Sequence, residues 1–417
     1  NFFRNFKFFY GKISELSDSQ LNSIAKSITD NCEVIEIKSW QVEQAITMFN
    51  SLNSDGLPLY DSDIISAKLY AEAEKRGKEK EFADLWKQLN NCINELESTR
   101  IADINSILMQ YMYYIRTVNK ETISETGAIN VTTPGLRRYF TEVNKMPITD
   151  PIGMCSDMVK LVKVWKKVSE YPQMKVLLKF NENTKLFLAS YFFRFDEDNI
   201  TEELVEPILE CLLRLFSLLE LVDVGYSSKY FKTFLFGAEV KLVSKSTTVD
   251  AITQDFNEHI RSNWDKETIW AALHDYDGNV LVYLNEFLFA KEKGLSFTLG
   301  TKYDIEHIMP YSGNNLQEIR KDAEIDSEEE FYGVVNKLGN KILLEEKINR
   351  AIGNEWFRTK VSTKLENKTG YIDSKYPIAR ALVSKYQSAN KPYWKKDDIM
   401  STTDKASDRI VSFIFGE

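Results

Sequence analysis

The spacing of apolar residues predicts a predominantly helical chain. From about residue 101 to 260, apolar side chains recur every three to four positions, as in Ile104, Ile107, Leu108 and Tyr111. This is the periodicity of helices that bury one face. Leucine and aromatic residues dominate these positions, so we interpret them as core packing rather than as ligand contacts.

The two ends of the chain mix helical and extended patterns. Towards the C-terminus, short apolar runs predict strands within 294–306 and at 341–344, and a helix is predicted from Glu345 to about Asn367. The expected fold class is therefore α+β, predominantly α-helical. We predict three domains, at 1–100, 101–260 and 261–417.

Length and composition narrow the class of protein. A chain of 417 residues exceeds one ordinary core, and 43% hydrophobic with 28% charged residues is typical of a globular protein. The four cysteines are scattered without a CxxC pair, which argues against a zinc site and favours a cytoplasmic location. No uncharged run has transmembrane length, so no membrane association is predicted. Because the chain begins with Asn1 rather than Met, we expect it to be a fragment.

Charge is distributed unevenly along the chain. The net charge is −9, yet residues 332–396 hold fourteen Lys and Arg against five Asp and Glu. Such a local excess predicts a phosphate-binding face, although an ordinary solvated helix face is the alternative. The basic residues considered for it are Lys337, Lys341, Lys347, Arg350, Arg358 and Lys360. Lys341, Lys347 and Arg350 are the predicted DNA contacts.

The candidate chemistry lies in the stretch from Tyr303 to Pro310. It holds His307, one of only three histidines in the chain, next to Glu306 and near Asp304. In a strand, Asp304 and Glu306 point to one face and His307 to the other. Asn340 precedes the next predicted strand, and Asn349 lies in the helix after it. This order predicts a ββα-metal site.

Each of these side chains suits hydrolysis of a phosphodiester. His307 can accept a proton from an attacking water, and Asn340 can hold it in orientation, either by its ring or by its backbone. Glu306 and Asn349 offer oxygen ligands for a hard divalent cation, which neutralises charge and stabilises the leaving group. Asp304 is a third candidate metal ligand, with Glu306 then turned away.

These residues resemble the His-Asn-His (HNH) nuclease motif, and the closer similarity is to GmrSD-type restriction proteins. The matching segments are Glu306-His307-Ile308-Met309-Pro310, Leu338-Gly339-Asn340 and a terminal helix with Trp394, Ile399 and Arg409. The resemblance implies a Mg²⁺-dependent endonuclease, with Mn²⁺ as a substitute, embedded in helices. Its implied substrate is modified phage DNA, cleaved by a type IV restriction system in antiviral defence.

A second resemblance lies upstream. Ile46 to Leu59, followed by Asp63-Ile64-Ile65, is similar to the later part of the ParB-like sensor domain of these proteins. The Asp-Gly-Gln-Gln-Arg motif that the family ties to nucleotide hydrolysis does not occur in this sequence. A nucleoside triphosphate would therefore act only through a motif outside these residues. Two alternative functions stay open at this point: a catalytically silent DNA-binding or regulatory module, and an RNA-directed toxin nuclease. Pairing of two chains as a homodimer is also open.

Overall fold

A computed structural model gives the architecture. It describes residues 2–33, 60–96, 103–181, 184–222, 229–244, 246–362, 369–389 and 391–417, with Gln44, Met48 and Ile101 in addition.

The chain divides into two compact units, residues 1–59 and 60–417. In the first unit, α1 (Phe2–Ser14) and α2 (Asp18–Asn31) are helices, and α2 begins at a capping box between Ser17 and Gln20. Ile46 to Leu59, the core of the predicted sensor segment, lies almost entirely outside the described residues.

Helices make up most of the second unit. Their bounds up to the first strand are α3 Asp61–Glu74, α4 Glu79–Asn94, α5 Ile104–Val118, α6 Leu136–Arg138, the π-helix Tyr139–Val143, α7 Met146–Thr149, α8 Pro151–Val168, α9 Pro172–Phe180, α10 Thr184–Phe192, α11 Glu202–Val222, α12 Lys229–Val243, α13 Val249–Asn263, α14 Lys266–Asp275 and α15 Val280–Glu292. No helix in the described part of the chain is long and apolar enough to cross a membrane.

The C-terminal part adds a two-stranded sheet and further helices. They are β1 Tyr303–His307, α16 Leu316–Asp322, α17 Glu328–Val335, β2 Lys341–Glu345, α18 Glu346–Ile352, α19 Phe357–Val361, α20 Pro377–Ala389 and α21 Lys396–Phe415, with short 3-10 turns at Leu338–Asn340 and Tyr371–Asp373. The prediction of a predominantly helical fold is confirmed. The predicted second strand is observed one residue longer, and the first is shorter than its predicted range.

The predicted helix from Glu345 to Asn367 is wrong in its length. Helix α18 ends at Ile352 because Gly353 adopts φ +56°, a left-handed conformation that glycine reaches without strain. A separate short helix, α19, follows it. Lys360 of this second helix contacts Glu306 of β1.

One hydrophobic core runs through the second unit from Ile65 to Phe415. Its centre includes Trp165, whose indole N–H donates to the Gln110 side chain at 2.7 Å. This core contains residues from all three predicted domains, whose boundaries stay a prediction. A second cluster, which includes Ile308 and Trp394, packs beneath the sheet.

Strand β2 lies between these two clusters. Leu343 packs into the first, whereas Ile342 and Leu344 pack into the second, as the two-residue period of a strand requires. All three side chains are buried, and each contributes about 1.5–3 kcal/mol by leaving water. The sheet is therefore anchored on both faces, which fixes the end of β1 in place.

Candidate nuclease site

The antiparallel pairing of β1 and β2 sets the geometry of the site. His307 pairs with Lys341 and Glu306 with Ile342. Gly339, in the turn before β2, allows this turn to pack directly against α21, since a Cβ there would lie 2.3 Å from the Ile399 carbonyl oxygen. Helix α18 follows β2 directly and carries Asn349 back towards β1.

An open cleft of about 580 Å³ lies where these elements meet. Its lining residues are Ile305, Glu306, His307, Tyr311, Ser312, Asn336, Asn349, Gly353 and Asn354. The structure thus brings together Glu306, His307 and Asn349, which are far apart in sequence. Asp304 lies beside Asn349 at the edge of this group.

His307 is held by a residue that the sequence analysis did not single out. Its Nε2 lies 3.1 Å from Oδ1 of Asn336, at the C-terminal end of α17. An amide oxygen only accepts, so Nε2 carries the proton in the neutral ring and Nδ1 is left as the basic nitrogen. Burial lowers the pKa of His307, and Lys341 and Lys360 add to that shift, while the Asn336 hydrogen bond opposes it. The neutral, proton-accepting ring is therefore favoured.

Asn340 acts on the backbone rather than on the imidazole. Its Oδ1 accepts from the Met309 N–H at 2.8 Å, and its Nδ2 donates to the carbonyls of Met309 and Val335 at 3.0 and 2.8 Å. Its own carbonyl accepts from the Ile308 N–H at 2.9 Å. The fully buried amide therefore ties the segment after His307 to the turn before β2.

Glu306 takes part in a buried charge network. Its Oε1 accepts a hydrogen bond from the Lys360 ammonium and another from the Tyr371 hydroxyl at 3.2 Å. Lys360 is 0% exposed, Glu306 is 6% exposed, and Tyr371 is fully buried. Burial raises the pKa of Glu306 and lowers that of Lys360, whereas their mutual attraction opposes both shifts.

Lys360 also fixes the end of β1. Its ammonium donates to the carbonyl oxygens of His307 at 2.7 Å and of Ile308 at 3.2 Å. One buried cation thus orients Glu306 and the backbone on both sides of the bond after His307. Neither Lys360 nor Tyr371 has a sequence signal, because a basic helix residue and a distant tyrosine have no local pattern that points to Glu306.

Asn349 contacts the other carboxylate. Its Nδ2 donates to Oδ2 of Asp304 at 3.0 Å. This bond fixes which way the amide faces and leaves the Asn349 Oδ1 as the oxygen that can bind a cation. Asp304 therefore serves as an orienting partner in this geometry.

The oxygen atoms of the cleft fit a magnesium ion that keeps most of its water. Lys360 and Tyr371 both donate to Oε1 of Glu306, which leaves Oε2 as the carboxylate oxygen for a cation, and the side chains of Glu306 and Asn349 both border the cleft. Magnesium usually takes one or two protein oxygens, and water and phosphate complete its shell. Over the same residues, no group of three or more His, Cys, Asp and Glu side chains forms a denser metal site.

Lys341, a predicted DNA contact, lies inside the protein. Its side chain is buried, and its ammonium donates to the carbonyl oxygens of Asp277 and of Gly278, the latter at 3.1 Å. Lys360 is likewise buried, and its ammonium donates to Glu306 and to the His307 carbonyl oxygen. Lys347 and Arg350 are exposed on α18, where Arg350 forms an ion pair with Glu346.

These positions predict different effects on DNA binding. Lys347→Gln and Arg350→Gln should each weaken binding and reduce the slope of log K against log salt by about one, because each removes a predicted phosphate contact. Lys341→Met should leave that slope unchanged. Fluorescence anisotropy with a labelled duplex at several salt concentrations measures the slope. An equal change for Lys341→Met would show that the buried ammonium reaches DNA.

The region that contains this site matches a known protein family. Residues 247–406 match the model of the GmrSD restriction endonucleases, C-terminal domain. That stretch contains β1, β2, α18 and the whole cleft, and it is a GmrSD-type restriction endonuclease C-terminal region. The match implies nuclease activity with DNA as the substrate. It confirms the family that the motif predicted. A comparison with curated protein sequences gave no match.

Proposed function

We propose that this chain is a Mg²⁺-dependent HNH endonuclease that hydrolyses DNA phosphodiester bonds. The supporting observation is that His307, whose Nε2 lies against Asn336, shares one cleft with Glu306 and Asn349. The family match supports DNA as the substrate. We further propose that it acts in a type IV, modification-dependent restriction system against phage.

The chain's own residues divide the reaction between them. His307 Nδ1 takes a proton from the attacking water, while Asn336 holds the ring through Nε2. Asn340 and Lys360 keep the backbone around His307 rigid, so the nitrogen stays aimed into the cleft. Glu306 Oε2 and Asn349 Oδ1 would hold the metal. When bound, Mg²⁺ supplies charge neutralisation at the phosphate and at the leaving oxygen.

The metal role of Asn349 predicts a specific defect. Asn349→Ala should raise the Mg²⁺ concentration needed for half-maximal DNA cleavage by about 10–100-fold, because it removes one ligand oxygen and releases Asp304. A magnesium titration of plasmid nicking measures the shift. Asn354→Ala, at another position of the same cleft, is the matched control and should leave the titration unchanged. A lower maximal rate with an unchanged magnesium midpoint would exclude Asn349 as a ligand.

Substrate class is tested with three nucleic acids. The purified chain should be incubated with Mg²⁺ and with phage DNA carrying modified bases, the same DNA without them, and RNA. Faster cleavage of the modified DNA is expected. Cleavage of RNA alone would identify an RNA-directed nuclease, and binding of DNA without cleavage of any substrate would identify a silent module.

A further inference from the structure

A second cavity lies among the helices that precede the nuclease region. It has a volume of about 180 Å³ and is partly enclosed by α5, α10, α11 and α12. Its lining includes Tyr113, Thr133, Phe187, Phe216, Phe236 and Glu239. A cavity of about 150 Å³ holds benzene, so this one has room for a somewhat larger ring.

Glu239 is the unusual group in this cavity. It is only 3% exposed, and in the part of the chain that the structure describes, its buried Oε2 has no hydrogen-bond partner. Arg116 attracts the carboxyl group, but the guanidinium donates to the Thr132 carbonyl at 2.7 Å and towards the Thr133 hydroxyl at 3.5 Å. A buried polar atom without a partner costs about 1–3 kcal/mol. Because Glu239 also lines the cavity, its carboxyl group is a candidate contact for a ligand there.

The protonation state of Glu239 indicates what it can recognise. Burial raises its pKa well above the ordinary value, with Arg116 opposing the shift, so the neutral carboxyl is favoured. A neutral carboxyl presents an acceptor and a donor side by side. This pair matches an edge on which a C=O or ring nitrogen stands beside an N–H.

The walls of the cavity favour a flat ring. The rings of Tyr113 and Phe236 lie 5.6 Å apart, tilted by only 16°, and Phe187 and Phe216 are buried. The Tyr113 and Thr133 hydroxyls lie 2.9 Å from each other and add polar atoms at the same cavity. Aromatic walls with one buried donor and acceptor pair are suited to a heteroaromatic ring.

We propose that this cavity binds a nucleobase, with its hydrogen-bonding edge on Glu239 and its faces against the aromatic walls. The base can come from a free nucleoside or from a nucleotide turned out of a DNA strand; the second source rests on the proposed nuclease function. Binding of a free nucleoside requires no cleavage, so the two proposals can fail separately.

The first experiment uses free nucleosides. Saturation-transfer NMR with adenosine, guanosine, cytidine and thymidine should show contact through base protons for at least one of them, and none for ribose. Glu239→Leu should weaken that binding by at least about tenfold, while Glu239→Gln, which keeps a donor and an acceptor, should retain it. Glu239→Leu should not lower the melting temperature, because it removes an unpartnered buried carboxyl group.

The second experiment separates the two sources. A duplex with 2-aminopurine should become more fluorescent on binding if a base leaves the stack, and Val131→Trp, which fills the cavity, should abolish the increase. Nucleoside binding without this increase would identify a free nucleoside as the ligand. Absence of both signals would show that the cavity holds only water and would overturn the proposal.

Discussion

His307→Ala should lower the rate of DNA cleavage by about 10²–10⁴-fold, the usual contribution of a general base. The substitution removes the imidazole in the cleft that we propose takes a proton from the attacking water. The effect should appear in kcat, since the imidazole has no predicted phosphate contact. Single-turnover cleavage of a supercoiled plasmid, with the fraction of nicked circles followed over time, measures it.

Two variants make this result specific. His259→Ala removes another partly buried ring, one stacked on Phe234 at 3.8 Å, and should leave the cleavage rate unchanged. Asn336→Ala keeps the base but releases its Nε2, so a smaller loss of about 10–100-fold is expected. Cleavage by His307→Ala at the rate of the unmodified chain would assign the base to another group.

Lys360→Met should lower the free energy of unfolding by about 3–5 kcal/mol, the cost of removing one partner of a buried ion pair. It leaves Glu306 without its cation in a buried position and strips two backbone carbonyls of a donor. Urea unfolding followed by tryptophan fluorescence measures the loss. Cleavage should fall as well, even at temperatures where the variant stays folded, because Glu306 and the end of β1 lose their fixed positions.

The network around Lys360 offers its own controls. Tyr371→Phe removes only the hydroxyl bond to Glu306 and should cost about 1 kcal/mol. Lys347→Met, on the exposed face of α18, should change stability by less than about 0.5 kcal/mol. The pair Lys360→Met and Glu306→Gln together should be less destabilising than the sum of the single changes. A loss below about 1 kcal/mol for Lys360→Met would show that the buried pair does not hold the site.

The sequence was sufficient to predict the elements of the site. Short apolar runs located both strands, and alternation placed Glu306 and His307 at the end of the first one. The order of His307, Asn340 and Asn349 predicted that the three would meet near one sheet edge, and the structure places them around the end of β1. The local sequence pattern was enough for these elements, because the formation of strands and turns depends mainly on residues that are close together in the chain.

The partners of these residues could not be predicted in the same way. The sequence predicted Lys341 as a DNA contact and placed Lys360 among the basic residues of a phosphate-binding face. It could not show that both are buried, because burial of a lysine depends on acceptors that come from distant segments. For Lys341 those acceptors are carbonyls 63 and 64 residues upstream, and for Lys360 they are Glu306 and its neighbours. Asn336 had no signal either, since nothing in its local pattern connects it with His307.

The sequence also could not predict the different roles of the Asp304 and Glu306 carboxylates. Alternation puts both carboxylates on one face and leaves their roles open. Only the tertiary contacts distinguish them: Asp304 meets the amide of Asn349, while Glu306 is held by Lys360 and Tyr371. The helix break at Gly353 was also beyond the sequence, because the helix after it is held by the contact of Lys360 with the distant Glu306.

Cleavage of supercoiled plasmid DNA as a function of magnesium tests the central claim most directly. The unmodified chain should produce nicked circles in millimolar Mg²⁺ and none in EDTA, and returning Mg²⁺ after EDTA should restore the activity. Equal cleavage in EDTA would contradict a metal-dependent mechanism in this cleft, provided that the His307→Ala variant loses that cleavage. The second condition shows that the cleavage comes from this site and not from a contaminant.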